Sequence, residues 1–196
     1  MQNHDLDIKI YNISDDTIKI NTVLSVVRKK GRSGFYFGCA AHTKEETAIT
    51  KSLKEGLSGF VGFYEHLFIH KTIECPKSQN EIVTLDDHCA YYLAGNGDYL
   101  LDELFVNVPK KPLLYRNYSF EQLVKQLQEL NIDIFYRNLT TVDVASEGLA
   151  VVRVVVPKLQ YLPVGAAMLE SDRLREYMKK FDIKEHQLNL NAHPFP

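Results

Sequence analysis

The chain has 196 residues, 45% hydrophobic and 24% charged, enough for one good core or two small ones. Its net charge of -2 leaves no basic footprint for nucleic acid, and its densest basic run, Lys29, Lys30 and Arg32, sits beside a turn, where such runs are solvated. Apolar stretches such as Leu149–Val156 are too short to span a membrane, and the opening MQNHDLDIKI lacks a charged-then-apolar signal pattern, so a cytoplasmic protein is expected. Cys39, Cys75 and Cys89 are odd in number and widely spaced, with no CxxC pair. That points to reduced, partly buried thiols, not a disulfide framework.

In chain order, Asp7–Ile13 alternates charged and apolar residues as a half-buried strand does. Asn21–Lys30 and Gly34–Ala41 are rich in Val, Phe and Tyr, and the Gly31–Gly34 turn between them predicts a β-hairpin. From about Lys44 the period becomes helical, with Ile49, Leu53, Leu57, Phe60, Tyr64 and Leu67 on one stripe. Thr43 is the expected N-cap, with Glu46 completing a capping box. Pro76–Asn80 reads as a loop. Thr84 is expected to cap a second helix, ended by Gly95–Asn96–Gly97 near Ala94. Residues 108–118, with Pro109 and Pro112, form a linker or long loop at which the chain could subdivide. Ser119 caps a helix whose face carries Phe120, Leu123, Val124, Leu127 and Leu130. Ile132–Tyr136 and Leu149–Val156 are expected as strands around a short helix near Val142–Glu147. The second of these strands, apolar apart from Arg153, reads as central in a sheet. A helix near Ser171–Lys180 and an irregular tail, Asn189–Pro196, complete the chain.

Five segments in order carry a family resemblance: Gly38–Cys39–Ala40–Ala41–His42 with Ala48 and Glu55 on the helix that follows; Thr84–Leu85–Asp86–Asp87–His88 with Tyr92; Asn138–Leu139–Thr140–Thr141–Val142–Asp143–Val144; Gly148–Pro157; and Asn191–Ala192–His193–Pro194–Phe195–Pro196. Together they resemble the YcaO family, in its branch that makes thiazoles and oxazoles in peptides. The resemblance covers nearly the whole chain, 1–196, as the C-terminal half of that fold. It implies a mixed α/β (α+β) architecture, with a hairpin sheet on a long helix plus a strand–helix–strand unit.

The resemblance also implies a chemistry. A Cys, Ser or Thr side chain of a ribosomal precursor peptide attacks the preceding carbonyl. ATP with Mg²⁺ phosphorylates the amide oxygen, so that water is lost as phosphate. The family's Glu-x-x-Gln-x-x-Arg motif falls on Glu55, Ser58 and Val61, so only the nucleotide-binding Glu is kept. Ser58 loses the amide and Val61 a permanent positive charge, which suits the site poorly to ATP. The family's Pro-x-Pro-x-Pro terminus falls on Ala192, Pro194 and Pro196. Two φ-locked prolines can present a stiff terminal carboxylate to catalysis. The implied site is therefore Glu55, Pro194 and Pro196, with no metal ligand set, and the cofactors ATP and Mg²⁺ are expected of the family but not of this chain alone. The implied partners are an N-terminal YcaO half or maturation-complex subunit and a precursor peptide; a homodimer is compatible.

Other residues carry two readings each. Glu55 is either a retained ligand or a solvated glutamate. Gly56, Gly59 and Gly62 mark either close packing of their helix, within the chain or on a partner, or a break in it. His66 and His70 could share a metal. Cys39 and His42 could pair, although no orienting group is identifiable. Asp86 and Asp87 suit a helix start. Arg153, if buried, needs Asp143 or Glu147 as a partner. Two functions follow: a cyclodehydratase part that completes its site with a partner, or a non-catalytic protein that binds a precursor peptide or maturation enzyme.

Overall fold

The computed structural model describes residues 5–15, 17–105, 108, 116–159, 162, 164 and 172–195. The chain forms two compact units. The first comprises Met1–Leu123, Leu162–Ala167 and Asn189–Pro196; the second comprises Val124–Tyr161 and Met168–Leu188.

The first unit is built on an antiparallel sheet, β1 (Leu6–Asn12), β2 (Asn21–Lys29) and β3 (Tyr36–His42), in that order. The register pairs Leu24 with Cys39, Ser25 with Gly38 and Val26 with Phe37. Strand alternation then sends Leu24, Val26 and Phe37 to one face, and Ser25, Val27, Tyr36 and Gly38 to the other. Both faces of β2 are covered, so its run is nearly all buried. The hairpin turn needs Gly31 and Gly34 at φ 72° and 93°.

Helix α1 (Glu45–Tyr64) lies on the Ser25–Val27 face and continues into a π-helical turn, Glu65–His70. The deepest line of α1 is Ala48, Ser52, Gly56 and Phe60, at i, i+4 spacing. The large apolar stripe read from the sequence flanks this line and is half-buried, except for Phe60. The reason is close approach. A Cβ on Gly38 would collide with the Ser52 carbonyl and the Gly56 amide, and one on Gly56 would press on Ser25 and Val27. Two buried serines bond across this contact. Ser25 Oγ donates to the Ser52 carbonyl at 2.8 Å, and Ser52 Oγ donates to the Gly38 carbonyl at 2.9 Å. Gly59 packs on the Tyr36 ring, while Gly62 faces open space. For Gly56 and Gly59 the close-packing reading therefore holds, within the chain.

Thr43 is not the cap. Lys44 occupies the N-cap without a side-chain bond. The Thr43 carbonyl instead accepts from Asn21 and Tyr118, and Glu45 exchanges bonds with the Arg116 backbone. The end of the Pro-containing segment is thus pinned beside α1, and that pairing fixes where the helix starts. Helix α3 (Asp98–Phe105) and Tyr92 of α2 (Leu85–Leu93) pack on the opposite sheet face, where Leu100 and Leu101 join Phe35 and Phe37, while Cys89 and Leu93 of α2 join Val27, Tyr36 and Phe60 on the α1 side. Thr84 caps α2 in a capping box with Asp87, as expected. The sequence reading missed α3, which follows Gly97 directly.

Helix α4 (Phe120–Glu129) crosses the boundary between the units, and Ser119 Oγ accepts from the Gln122 amide at its start. The second unit then contains β4 (Phe135–Asn138), α5 (Val142–Ser146), β5 (Val152–Val155) and α6 (Asp172–Lys180). The strands pair antiparallel as a two-stranded sheet, so α5 lies in a hairpin connection. The expectation that the apolar strand is central in a sheet is not met: every residue of β5 is exposed. Arg153 is exposed too, opposite Arg137, and needs no buried partner.

Alanine at Gly38 should cost about 3 kcal/mol through overpacking against backbone. Alanine at Gly62, where nothing stands in the way, should add up to about 1 kcal/mol through helix propensity. Thermal melts of the two variants should therefore move in opposite directions.

Candidate functional site

The carboxyl-terminal segment is seated in the first unit. Ala192 is 2% exposed. Its N–H donates to Gln79 Oε1 at 2.9 Å, and its carbonyl accepts from the Tyr92 hydroxyl. The His193 carbonyl accepts from His88 Nδ1 at 2.5 Å, and the two imidazoles stack with centroids 4.1 Å apart. Asn191 Oδ1 accepts from Gln79 Nε2 at 2.7 Å and from the Tyr99 hydroxyl at 3.0 Å. Phe195 packs near Phe37, ring centroids 5.9 Å apart. Pro194 is half-buried, and Pro196 lies outside the described residues.

The cradle follows from local structure. His88 and Tyr92 stand four apart on α2 and so share a face, which the Thr84–Asp87 capping box fixes in place. Gln79 opens a single 3₁₀ turn, Gln79–Glu81. The sequence reading did not single out Gln79, and it noted His88 and Tyr92 only within a motif. Their i, i+4 spacing was the available signal. The departure at Ala192 also acquires a cause: proline there has no N–H to give Gln79.

Burial pushes the Tyr92 phenol above its ordinary pKa and keeps it a donor. Burial also holds the His88 imidazole below its ordinary value, outweighing the opposing bond to the His193 carbonyl. His88 is fully buried.

Glu55 is placed differently from a freely solvated residue. It is half-buried, and Oε2 accepts the Cys39 N–H at 2.9 Å, closing the outer side of edge strand β3. Glu55 approaches β3 from the α1 face, and Phe195 from the opposite face through Phe37. Ser58 and Val61 are exposed along α1. Burial, and then the Glu55 charge, push the Cys39 thiol up and oppose thiolate formation. Alternation in β3 sends Cys39 and His42 to opposite faces, and His42 Nδ1 accepts the Lys44 N–H at 3.0 Å. They form no catalytic pair. The His66 and His70 rings are tilted at 59° with centroids 6.1 Å apart, and among the described residues no three His, Cys, Asp or Glu side chains are grouped to hold a metal. Mg²⁺–ATP needs several carboxylates. The described donor set, with one carboxylate already engaged by an amide, does not fit it.

A family model described as YcaO cyclodehydratase, ATP- and Mg²⁺-binding, matches residues 1–160. The chain is similar to a heterocyclase solved in complex with substrate and cofactor, at 18% identity and TM-score 0.63, over 97% of this chain and 25% of that one. It is similar to the heterocyclase TruD at 21% identity and TM-score 0.61, over 100% of this chain and 26% of that one. It is also similar to a chain of the E. coli microcin synthetase McbBCD complex with pro-MccB17 bound, at 17% identity and TM-score 0.52, over 78% of this chain and 38% of that one. The chain thus spans about a quarter of the length of the first two. No curated protein matches it. Among the described residues no helix is long and apolar enough to cross a membrane.

Replacing Ala192 with proline should release the tail despite restoring a proline pattern. The Gln79 acceptor loses its donor, at a cost of about 1–3 kcal/mol, read as faster carboxypeptidase digestion. Acidification should act in the same direction. A depressed His88 pKa contributes stability above the unfolded value of about 6.5 that is lost as pH falls through the folded value. The thermal midpoint should therefore drop as pH is lowered from about 6.5, and His88→Gln should flatten that dependence.

Proposed function

This chain belongs to the YcaO family, and from that premise we propose that it is a partial YcaO protein. On this reading it supports the conversion of Cys, Ser or Thr in a precursor peptide to azolines only when a partner supplies the rest of the fold. The observation that carries the reading is the seated tail. A terminus held by bonds at Asn191, Ala192 and His193 is positioned, not frayed. Its proline-containing end is therefore delivered to a defined place, and order already present in the free chain lowers the entropy cost of using it.

The chain's own contributions are limited and specific. Pro194 and Pro196 stiffen the terminus. Glu55 holds the edge of β3 by its bond to Cys39 and is the one retained position of the family's helix motif. Nucleotide and Mg²⁺ are the partner's to bind, because Ser58 and Val61 bring neither amide nor charge. Assembly is supported in general by the McbBCD relative, which is itself a complex with a bound peptide precursor. The deficient donor set also favours a second reading, in which the chain binds a precursor peptide or maturation enzyme without catalysis.

Calorimetric titration of the purified chain with Mg²⁺–ATP should show no binding, and micromolar affinity would overturn this assignment. Ring formation should be followed as loss of a water mass from a Cys-containing precursor peptide, with a chain carrying the N-terminal YcaO half added in trans. Deletion of Pro194–Pro196 and Glu55→Gln should each slow it at least about tenfold, corresponding to about 1.4 kcal/mol. Equal rates for all three would remove both features from the mechanism. No rings with any of them, from a folded complex, would leave the binding-only reading.

A further inference from the structure

Gln79 meets the carboxyl-terminal segment with both ends of one amide. Its Nε2 donates to Asn191 Oδ1 at 2.7 Å, and its Oε1 accepts the Ala192 N–H at 2.9 Å. A side-chain amide can be turned end for end, so its neighbours decide which end donates. The bonds around Gln79 leave one orientation only, because a backbone N–H stands at each end of them and a backbone N–H can only donate. The Asn191 N–H donates to Asn189 Oδ1 at 3.1 Å, and the same oxygen takes Asn191 Nδ2 as a second donor at 2.6 Å. Asn191 Oδ1 is thereby turned to Gln79 and Tyr99, and it also accepts from the Tyr99 hydroxyl at 3.0 Å. At the other end the Ala192 N–H requires Oε1. Turning either amide would set donor against donor or acceptor against acceptor.

The arrangement discriminates at two positions. It requires an acceptor at 191 and a free N–H at 192. Tyr92 closes the other side, its hydroxyl donating to the Ala192 carbonyl. Ala192 is enclosed and Tyr92 is fully buried, so a side chain much larger than a methyl group at 192 has to displace its surroundings. A slip of the segment by one residue would bring Leu190 or His193 into that place. Both are too large. Pro194 and Phe195 follow directly, so this single register decides where Phe195 meets Phe37.

We infer that Gln79 is the residue that determines which tail this seat accepts: it sets the register of Asn191–Phe195 and selects a small residue with a free N–H at 192, so that proline there is compatible only with a different side chain at 79. Its consequence for catalysis rests on the function proposed above. Gln79 acts through the segment and is in that sense a positioning residue.

The test places para-fluorophenylalanine at position 195 of the full chain, as its one fluorinated residue, and follows it by fluorine NMR. A ring held beside Phe37 gives a displaced resonance, and a released segment gives that of an unfolded chain. The parent chain and Ala192→Gly, which keeps the N–H, should both show the displaced resonance. Gln79→Met, which keeps length without the amide, and Ala192→Pro should each lower the ratio of seated to released segment about tenfold. Adding Ala192→Pro to Gln79→Met should lower it by less than about a further twofold, since the bond is already gone. A tenfold loss from Ala192→Pro in both backgrounds would mean that proline is rejected by shape and would overturn the inference, as would an unchanged ratio in Gln79→Met. With the N-terminal YcaO half supplied in trans, Gln79→Met should lower kcat for ring formation about tenfold and leave KM for the precursor peptide unchanged. Full kcat from a released segment would overturn the positioning role. No rings from the parent chain would overturn the function proposed above, while the fluorine signal still decides whether Gln79 selects the tail.

Discussion

The contact of α1 with the sheet at Gly38 and Gly56 sets the geometry of the first unit. Backbone meets backbone there, and the two buried serines, Ser25 and Ser52, bond across the contact to carbonyls of the facing elements. This seat brings the next turn of α1 to the edge of β3, where Glu55 takes the Cys39 amide. Packing of α1 on one face of β2 leaves the other face to Tyr92 of α2, to α3 and to the carboxyl-terminal segment. Each element that positions the candidate site therefore refers back to one close approach between small residues.

The tail is held by polar bonds more than by apolar burial. Ala192 is small and contributes little hydrophobic area, yet both of its backbone groups are bonded inside the protein. Such a clamp is specific, because a buried N–H or carbonyl left unpaired costs more than its bond contributes. It is also sensitive to protonation, since the neutral, buried His88 belongs to it. The same physics explains why the tail tolerates alanine where a proline pattern would place an imide.

The two units differ in kind. The first buries aromatic and branched side chains on both faces of its sheet and satisfies nearly all its buried polar atoms; among the described residues only Asn21 Oδ1 lacks a partner. The second presents comparable apolar strands to solvent. Local propensities in it agree with a sheet, while its surroundings do not supply one.

The sequence by itself determined much of the local structure. Alternation pointed to β1, runs rich in Val, Phe and Tyr to β2 and β3, and the Gly31–Gly34 turn to the hairpin they form; Thr84 and Ser119 announced their helices, and the ordered segments pointed to the family. These are short-range signals, written in periodicity and in caps that act within a few residues. Tertiary structure decided the rest. Periodicity drew attention to the large apolar stripe of α1, whereas the sheet selected its small residues, because only they allow backbone contact. Thr43 lost the cap because Asn21 and Tyr118, distant in sequence, claimed its carbonyl. The cradle of the tail joins Gln79, His88 and Tyr92 to residues a hundred or more positions away, and no local pattern encodes a pairing across that distance. The apolar run of β5 told of burial, but burial depends on which neighbours the fold places on the strand, and among the described residues its strand neighbour is β4.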